Sequence, residues 1–192
     1  MKPFILFCLV AVLFSACSPD VKVIDDLNDR SFELVNQNGE DVTFPDDYQG
    51  KYLIMGFIYT NCPDICPLVT QNLIKVQKEL GNPDDVQFLG LSFDPKRDTP
   101  EVLKKYKEVF NLYKNFDFLT GDSTVVAQVM DSVRVRSQVS FVQEREDGND
   151  VYFLNHSDKI MVVNPKGEVI FEYGGSMTPV KYIIEDLETV RN

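Results

Sequence analysis

The sequence predicts an α/β domain built on a mixed central sheet, and three observations lead there. Residues 52–59 and 86–93 are nearly continuous apolar runs, the pattern of strands buried on both faces. Each run is followed by a segment whose apolar residues recur at helical spacing. Two hairpin signatures, Asn36-Gln37-Asn38-Gly39 and Asn164-Pro165-Lys166-Gly167, add antiparallel strands early and late in the chain.

The N-terminus reads as a targeting signal. Lys2 precedes an apolar run over residues 3–14, then Ser15-Ala16-Cys17. The run is too short to span a bilayer as a mature helix. Small residues directly before a cysteine resemble a bacterial lipobox, which makes residues 1–16 a signal peptide and Cys17 the lipidated first residue. An ordinary signal peptide or an uncleaved anchor is the plainer alternative, and either way the domain is exported, facing the periplasm or the cell exterior. Residues 17–30 are polar and acidic (Asp20, Asp25, Asp26, Asp29) and are expected to be a tether. The remaining residues, 31–192, are long enough for one well-buried domain.

Within that domain the elements follow in order. Residues 31–35 and 41–44 flank the first turn as a hairpin, and residues 52–59 form the first buried strand. Val69, Leu73, Val76 and Leu80 mark a helix over 68–80 that stops at Gly81, a residue suited to the cap. Residues 86–93 form the second buried strand. Thr99 can cap the next helix, Pro100 fits its first position and Glu101 complements the dipole, so it is expected to run to about Lys114. A shorter helix is expected over 122–131. Residues 139–142 and 151–155 read as strands or a long hairpin, 159–163 and 168–173 as a second hairpin, and 180–190 as a closing amphipathic helix. This order is that of the thioredoxin-like folds, with an N-terminal hairpin and an insertion.

Charge removes some functions. The chain has 19 basic and 30 acidic side chains, a net −11, which disfavours nucleic acid and anionic lipid as partners. Cysteines point elsewhere. Of four, Cys8 leaves with the signal and Cys17 carries lipid, so Cys62 and Cys66 are the thiols of the folded domain. An exported pair either forms a disulfide, holds a metal, or alternates between the two.

Cys62-Pro63-Asp64-Ile65-Cys66-Pro67 follows the first buried strand, at the carboxyl end where open α/β sheets place their sites. Thiols at i and i+4 face the same side of a helical turn, and a helix N-terminus favours thiolate over thiol. Spacing alone does not choose between redox chemistry and metal binding. His156, the single histidine, sits on what reads as a turn between two strands. Together the three side chains form a soft-metal set. Thiolates select Cu(I), and an added imidazole admits Cu(II). A structural zinc site would want a fourth ligand, for which only Asp64 is at hand, and a turn aspartate accounts for that residue equally well.

Four segments, residues 56–67, 92–101, 119–121 and 155–157, resemble in order the Sco/SenC family of membrane-tethered, thioredoxin-like copper proteins that assist cytochrome c oxidase assembly. The resemblance runs from about Phe32 to the C-terminus. It implies that Cys62, Cys66 and His156 are copper ligands and that oxidase subunit II, with its dinuclear copper centre, is the partner. The function expected is a metallochaperone rather than an enzyme. The alternative is a thiol–disulfide oxidoreductase using Cys62 and Cys66 as a redox pair on cysteines of that copper site or of another exported protein. A peroxide-reducing enzyme of related fold is disfavoured. Asn155 stands where the family often has Asp, and residues 133–137 lack the tyrosines common in relatives. Asp94 and Asp98 match the family's acidic loop, and turn formation or capping would explain them as well.

Overall fold

The computed structural model describes residues 21–112, 114–145 and 151–191. In chain order these form β1 (Asp25–Asp26), β2 (Phe32–Asn36), β3 (Asp41–Phe44), β4 (Tyr52–Ile58), α1 (Ile65–Glu79), β5 (Val86–Ser92) and α2 (Pro100–Phe110). Then come β6 (Phe116–Thr120), α3 (Ser123–Ser132), β7 (Ser137–Gln143), β8 (Val151–His156), β9 (Ile160–Val163), β10 (Glu168–Tyr173) and α4 (Val180–Arg191). The signal 1–16, Cys17 and residues 18–20 lie outside the described residues.

Both apolar runs became inner strands. The main sheet has the order β1-β10-β9-β4-β5-β6-β2-β3. Its centre is parallel, β4 beside β5 beside β6, while β9 and β2 run antiparallel to their neighbours. This is the mixed sheet of a thioredoxin-like fold. Every residue of β5 is buried, and of β4 only Tyr52 is partly exposed. Such strands must be covered on both faces, which the helices do. Helix α1 lies over β4 with Val69, Leu73 and Val76 fully buried, and α4 packs beside it through Ile183 and Leu187. Gly56 permits the close approach: a Cβ there would stand 2.8 Å from Val69 Cγ1 and 2.9 Å from Leu73 Cδ1.

Several boundaries differ from the sequence reading. Helix α1 begins at Ile65, three residues before the expected start, because Pro67 falls in the first turn, where its missing N–H has no intrahelical partner to lose. Helix α2 ends at Phe110 instead of near 114, since Asn111 takes the left-handed conformation (φ 57°) that closes a helix. Thr99 occupies the N-cap of α2 without a side-chain capping bond. Strand β6 was not anticipated. Part of the segment read as a tether is packed on the domain: Asp25–Asp26 pairs with Glu168–Val169, and Leu27 is buried. The backbone bonds Ile24 N–H to Val169 O and Leu27 N–H to Gly167 O supply that adhesion, which composition does not advertise.

Strands β7 and β8 form a separate two-stranded sheet, the insertion, whose far end carries His156 opposite Ser137. The histidine therefore ends a strand, where the sequence reading had put it on a turn.

Candidate metal centre

Cys62 lies in the loop after β4, and Cys66 is the second residue of α1. The strand end delivers the loop and the helix returns it, so the two sulfurs converge beneath the tip of β8. The Sγ atoms of Cys62 and Cys66 and one ring nitrogen of His156 lie within 4.8 Å of one another. His156 Nε2 is 3.5 Å from Cys66 Sγ and 4.0 Å from Cys62 Sγ. Both cysteines are free thiols and buried; His156 is half-buried.

The histidine is oriented for ligation. Its Nδ1 lies 3.0 Å from the Ser157 carbonyl oxygen, which can only accept, so Nδ1 carries a proton. That leaves Nε2 facing the sulfurs, with its ring orientation fixed by the second bond. The ring packs against Phe93 at 4.7 Å and edge-on to Tyr59 at 5.7 Å and 83°.

The two sulfurs differ in charge. Cys62 is pulled down to about 3, first by a hydrogen bond from the Cys66 thiol, against the cost of burial, and then by His156 and the backbone N–H groups of Cys66 and Asp64. The Cys66 amide is 3.4 Å from Cys62 Sγ, so the start of α1 points its free N–H groups at that sulfur. Cys66 is pushed up, since it gives its proton to the Cys62 thiolate and is buried; the Tyr59 amide, 3.4 Å away, partly opposes this. The sequence reading did not assign the helix effect to one thiol; the structure directs it to Cys62. For His156, burial disfavours the charge, yet Cys62, the Ser157 carbonyl and Asp158 outweigh it and raise the imidazole's pKa.

This donor set fits a soft metal ion. Two thiolates suit Cu(I), the imidazole extends the set towards Cu(II), and three ligands leave a structural zinc tetrahedron incomplete. Asp64 does not join the cluster among the described residues; it stands at the N-cap of α1 without a side-chain capping bond. Cys17 lies outside the described residues.

Asp94 and Asp98 turn out to support the site. Asp98 is fully buried and accepts hydrogen bonds from Thr60 N, Thr60 Oγ1 and Ser92 Oγ, which pins the loop leading to Cys62; burial raises its pKa. Asp94 accepts from Arg97 Nε and from the Tyr152 hydroxyl (2.6 Å), which ties the β5–α2 loop to β8. Arg97, Tyr152 and Tyr59 were missed in the sequence. Tyr59 sits three residues before Cys62 within an apolar run, a position that reads only as core.

Residues 25–192 match the family described as SCO1/SenC. The SCO1 protein homolog of Bacillus subtilis is 31% identical over 186 residues, covering 94% of this chain and 92% of its own length. Among solved structures, copper-bound ScoI of Arabidopsis thaliana is 28% identical with a TM-score of 0.67, covering 84% of this chain and 97% of that one. BsSco, described with a disulfide switch and as a member of the Sco family of cytochrome c oxidase assembly proteins, is 29% identical with a TM-score of 0.68, covering 89% and 95%.

Proposed function

The chain belongs to the SCO1/SenC family, and from that premise we propose that it is a membrane-tethered metallochaperone that carries copper to, or matures, the dinuclear copper site of cytochrome c oxidase. One observation carries the reading: two buried sulfurs and a pre-oriented imidazole nitrogen converge within 4.8 Å of one another. Cys62, Cys66 and His156 would hold the ion. Copper-bound ScoI supports the choice of metal, and the description of BsSco as a member of a family of cytochrome c oxidase assembly proteins supports the oxidase as the destination; subunit II, which carries the dinuclear copper centre, is the recipient within it that we propose.

The chain's own residues do most of the work. Burial keeps water from the sulfurs, Ser157 holds the imidazole, and the metal displaces the proton that Cys66 shares with Cys62. Copper titration of the reduced domain, followed by absorption and EPR spectra, tests the reading. One copper per chain with sulfur and nitrogen ligation is expected; no stoichiometric binding sinks it.

A thiol–disulfide role has its own support in the asymmetry of the pair. Cys62, held as thiolate beside a protonated Cys66, is arranged like an attacking and a resolving thiol. The two readings are compatible, because a disulfide cannot ligate copper and a reduced pair can. The tether would be lipid on Cys17, with the domain outside the cytoplasmic membrane. Among the described residues no helix is long and apolar enough to cross a membrane. Intact mass of the native protein tests the tether: a mature N-terminus other than an acylated Cys17 removes it.

A further inference from the structure

The segment Gly174-Gly175-Ser176, between β10 and α4, joins the two pieces of the chain that carry the metal ligands. On one side is α1, the helix of Cys66. From it the Asn72 side-chain amide donates to the carbonyl oxygens of Gly175 at 2.9 Å and Ser176 at 3.2 Å. On the other side is Asp158, two residues after His156. Its carboxylate accepts the Ser176 N–H at 2.9 Å and the Ser176 hydroxyl at 2.6 Å. Gly175 fills the gap between the pieces. A Cβ there would stand 2.9 Å from Val69 Cγ2 of α1 and 2.7 Å from Asp158 Oδ1. Asn72 is 8% exposed, and a buried amide costs free energy unless it is paired. Packing alone would be served by an apolar side chain; the amide is accounted for by the segment it grips.

We propose that this segment is a spacer that sets the distance between the imidazole and the sulfurs, with Asn72, Asp158 and Gly175 as its positioning residues. The linkage is continuous. Helix α1 carries Cys66 and Asn72 on one rigid element, and Asn72 grips the segment. The segment holds the Asp158 side chain, and Asp158 follows Ser157, whose carbonyl oxygen fixes His156 Nδ1 at 3.0 Å. Gly175 keeps the gap narrow, and the two side chains keep it from widening. The consequence for the metal deepens the copper reading and rests on it. Two thiolates hold Cu(I) with or without the imidazole, whereas Cu(II) needs the nitrogen in reach, so the spacer acts on Cu(II).

The test uses the reduced protein carrying Gly175→Ala, Asp158→Ala, Asn72→Ala, and the last two combined. His156 is the single histidine, so its carbethoxylation by diethyl pyrocarbonate reads the freedom of the ring without any metal. Each single variant should raise that rate and lower Cu(II) affinity about 10–100-fold, with Cu(I) affinity little changed. Gly175→Ala and Asn72→Ala alter no charge, so a faster rate in them reports position and not protonation. Asn72 and Asp158 are the two ends of one link, so the double variant should lose no more than the worse single one. Ser176→Ala deletes one hydroxyl bond, should give a smaller change of the same sign, and serves where a larger variant fails to fold. A packing role alone would lower thermal stability and leave the carbethoxylation rate as in the wild type. A wild-type rate in Gly175→Ala and Asn72→Ala, equal losses for the two copper ions, or additive losses in the double variant overturns the spacer. If the wild type takes up no copper, the copper reading fails by itself, and the carbethoxylation rates still decide the spacer.

Discussion

The Arg97 guanidinium sits 3.5 Å from the ring centroid of Tyr152 and donates from Nη1 to that residue's carbonyl oxygen at 2.8 Å. Its Nε reaches Asp94 Oδ2 at 2.5 Å, and Asp94 Oδ1 accepts the Tyr152 hydroxyl at 2.6 Å. Three side chains thus close a ring between the β5–α2 loop and β8. Among the described residues the hairpin of β7 and β8 pairs with no strand of the main sheet, so this clasp, the bond from the Leu154 N–H to the Tyr59 hydroxyl and the packing of the imidazole on Phe93 help to hold His156 over the sulfurs.

Removing the clasp should therefore loosen the histidine and leave the sulfurs in place. Arg97→Ala loses a charge-assisted bond and a cation–π contact, together worth about 2 kcal/mol of stability at a site largely shielded from water. Thermal unfolding reads that loss. Cu(II) affinity should drop about 10–100-fold, as for other groups that orient a ligand, while Cu(I) affinity changes little. Equal losses for both ions would mean that the clasp supports the whole site instead of the histidine strand.

The thiol pair predicts a redox gate. Air-oxidised protein should contain one Cys62–Cys66 disulfide and bind little copper, and reduction should restore one copper per chain, since thiolates and not a disulfide are ligands. Thiol counting beside copper analysis checks both halves. Equal uptake by the two forms would place the metal elsewhere.

Much of this was readable because it depends on local pattern. Strands β4 and β5 announced themselves as unbroken apolar runs, and Gly39, Gly81 and Gly167 all take the positive φ that their turns required. Strand β6 was not readable: Phe116-Asp117-Phe118-Leu119-Thr120 is short and carries a charge, and its place follows from pairing with β5 and β2. Strand β1 is two aspartates whose reason to be there lies on distant residues. The candidate ligands were legible because Cys62, Cys66 and His156 are chemically scarce in this chain. Their supports were not. Tyr59, Arg97 and Tyr152 are ordinary residue types whose roles exist only once β8 is folded over the β5–α2 loop.

The β1 edge should respond to acid. Asp25 is held below the ordinary carboxylate value chiefly by a hydrogen bond from Arg134, opposed by burial and aided by the Asp26 amide and Arg30. A depressed folded pKa means that the stabilisation is present above the unfolded value of about 3.9 and is lost as pH falls through the lower folded value. The groups are partly exposed, so the effect is about 0.5–1 kcal/mol. Hydrogen exchange of the Ile24 and Leu27 amides should quicken between about pH 4 and pH 2, and Asp25→Asn should show the faster rate already at pH 7. A pH-independent ratio between wild type and variant across that window would remove Asp25 as the cause.

His156 separates the two leading functions. His156→Ala deletes the imidazole while both sulfurs keep their bonds from the Cys66 and Tyr59 amides, so the thiol chemistry survives structurally. With copper as the ligand, Cu(II) affinity and the thiolate charge-transfer band should fall by more than the 10–100-fold typical of lost supporting groups, because a ligating atom is gone. Cu(I) should suffer less, since two thiolates can hold it alone. A pure oxidoreductase would show the opposite profile, with copper uptake incidental and disulfide exchange altered only through the charge His156 lends Cys62. Titration of each copper ion and measurement of exchange with a small disulfide read the two profiles on one variant. Wild-type Cu(II) binding together with intact oxidase assembly in cells would dismiss His156 as a ligand and leave the thiol pair as the functional unit.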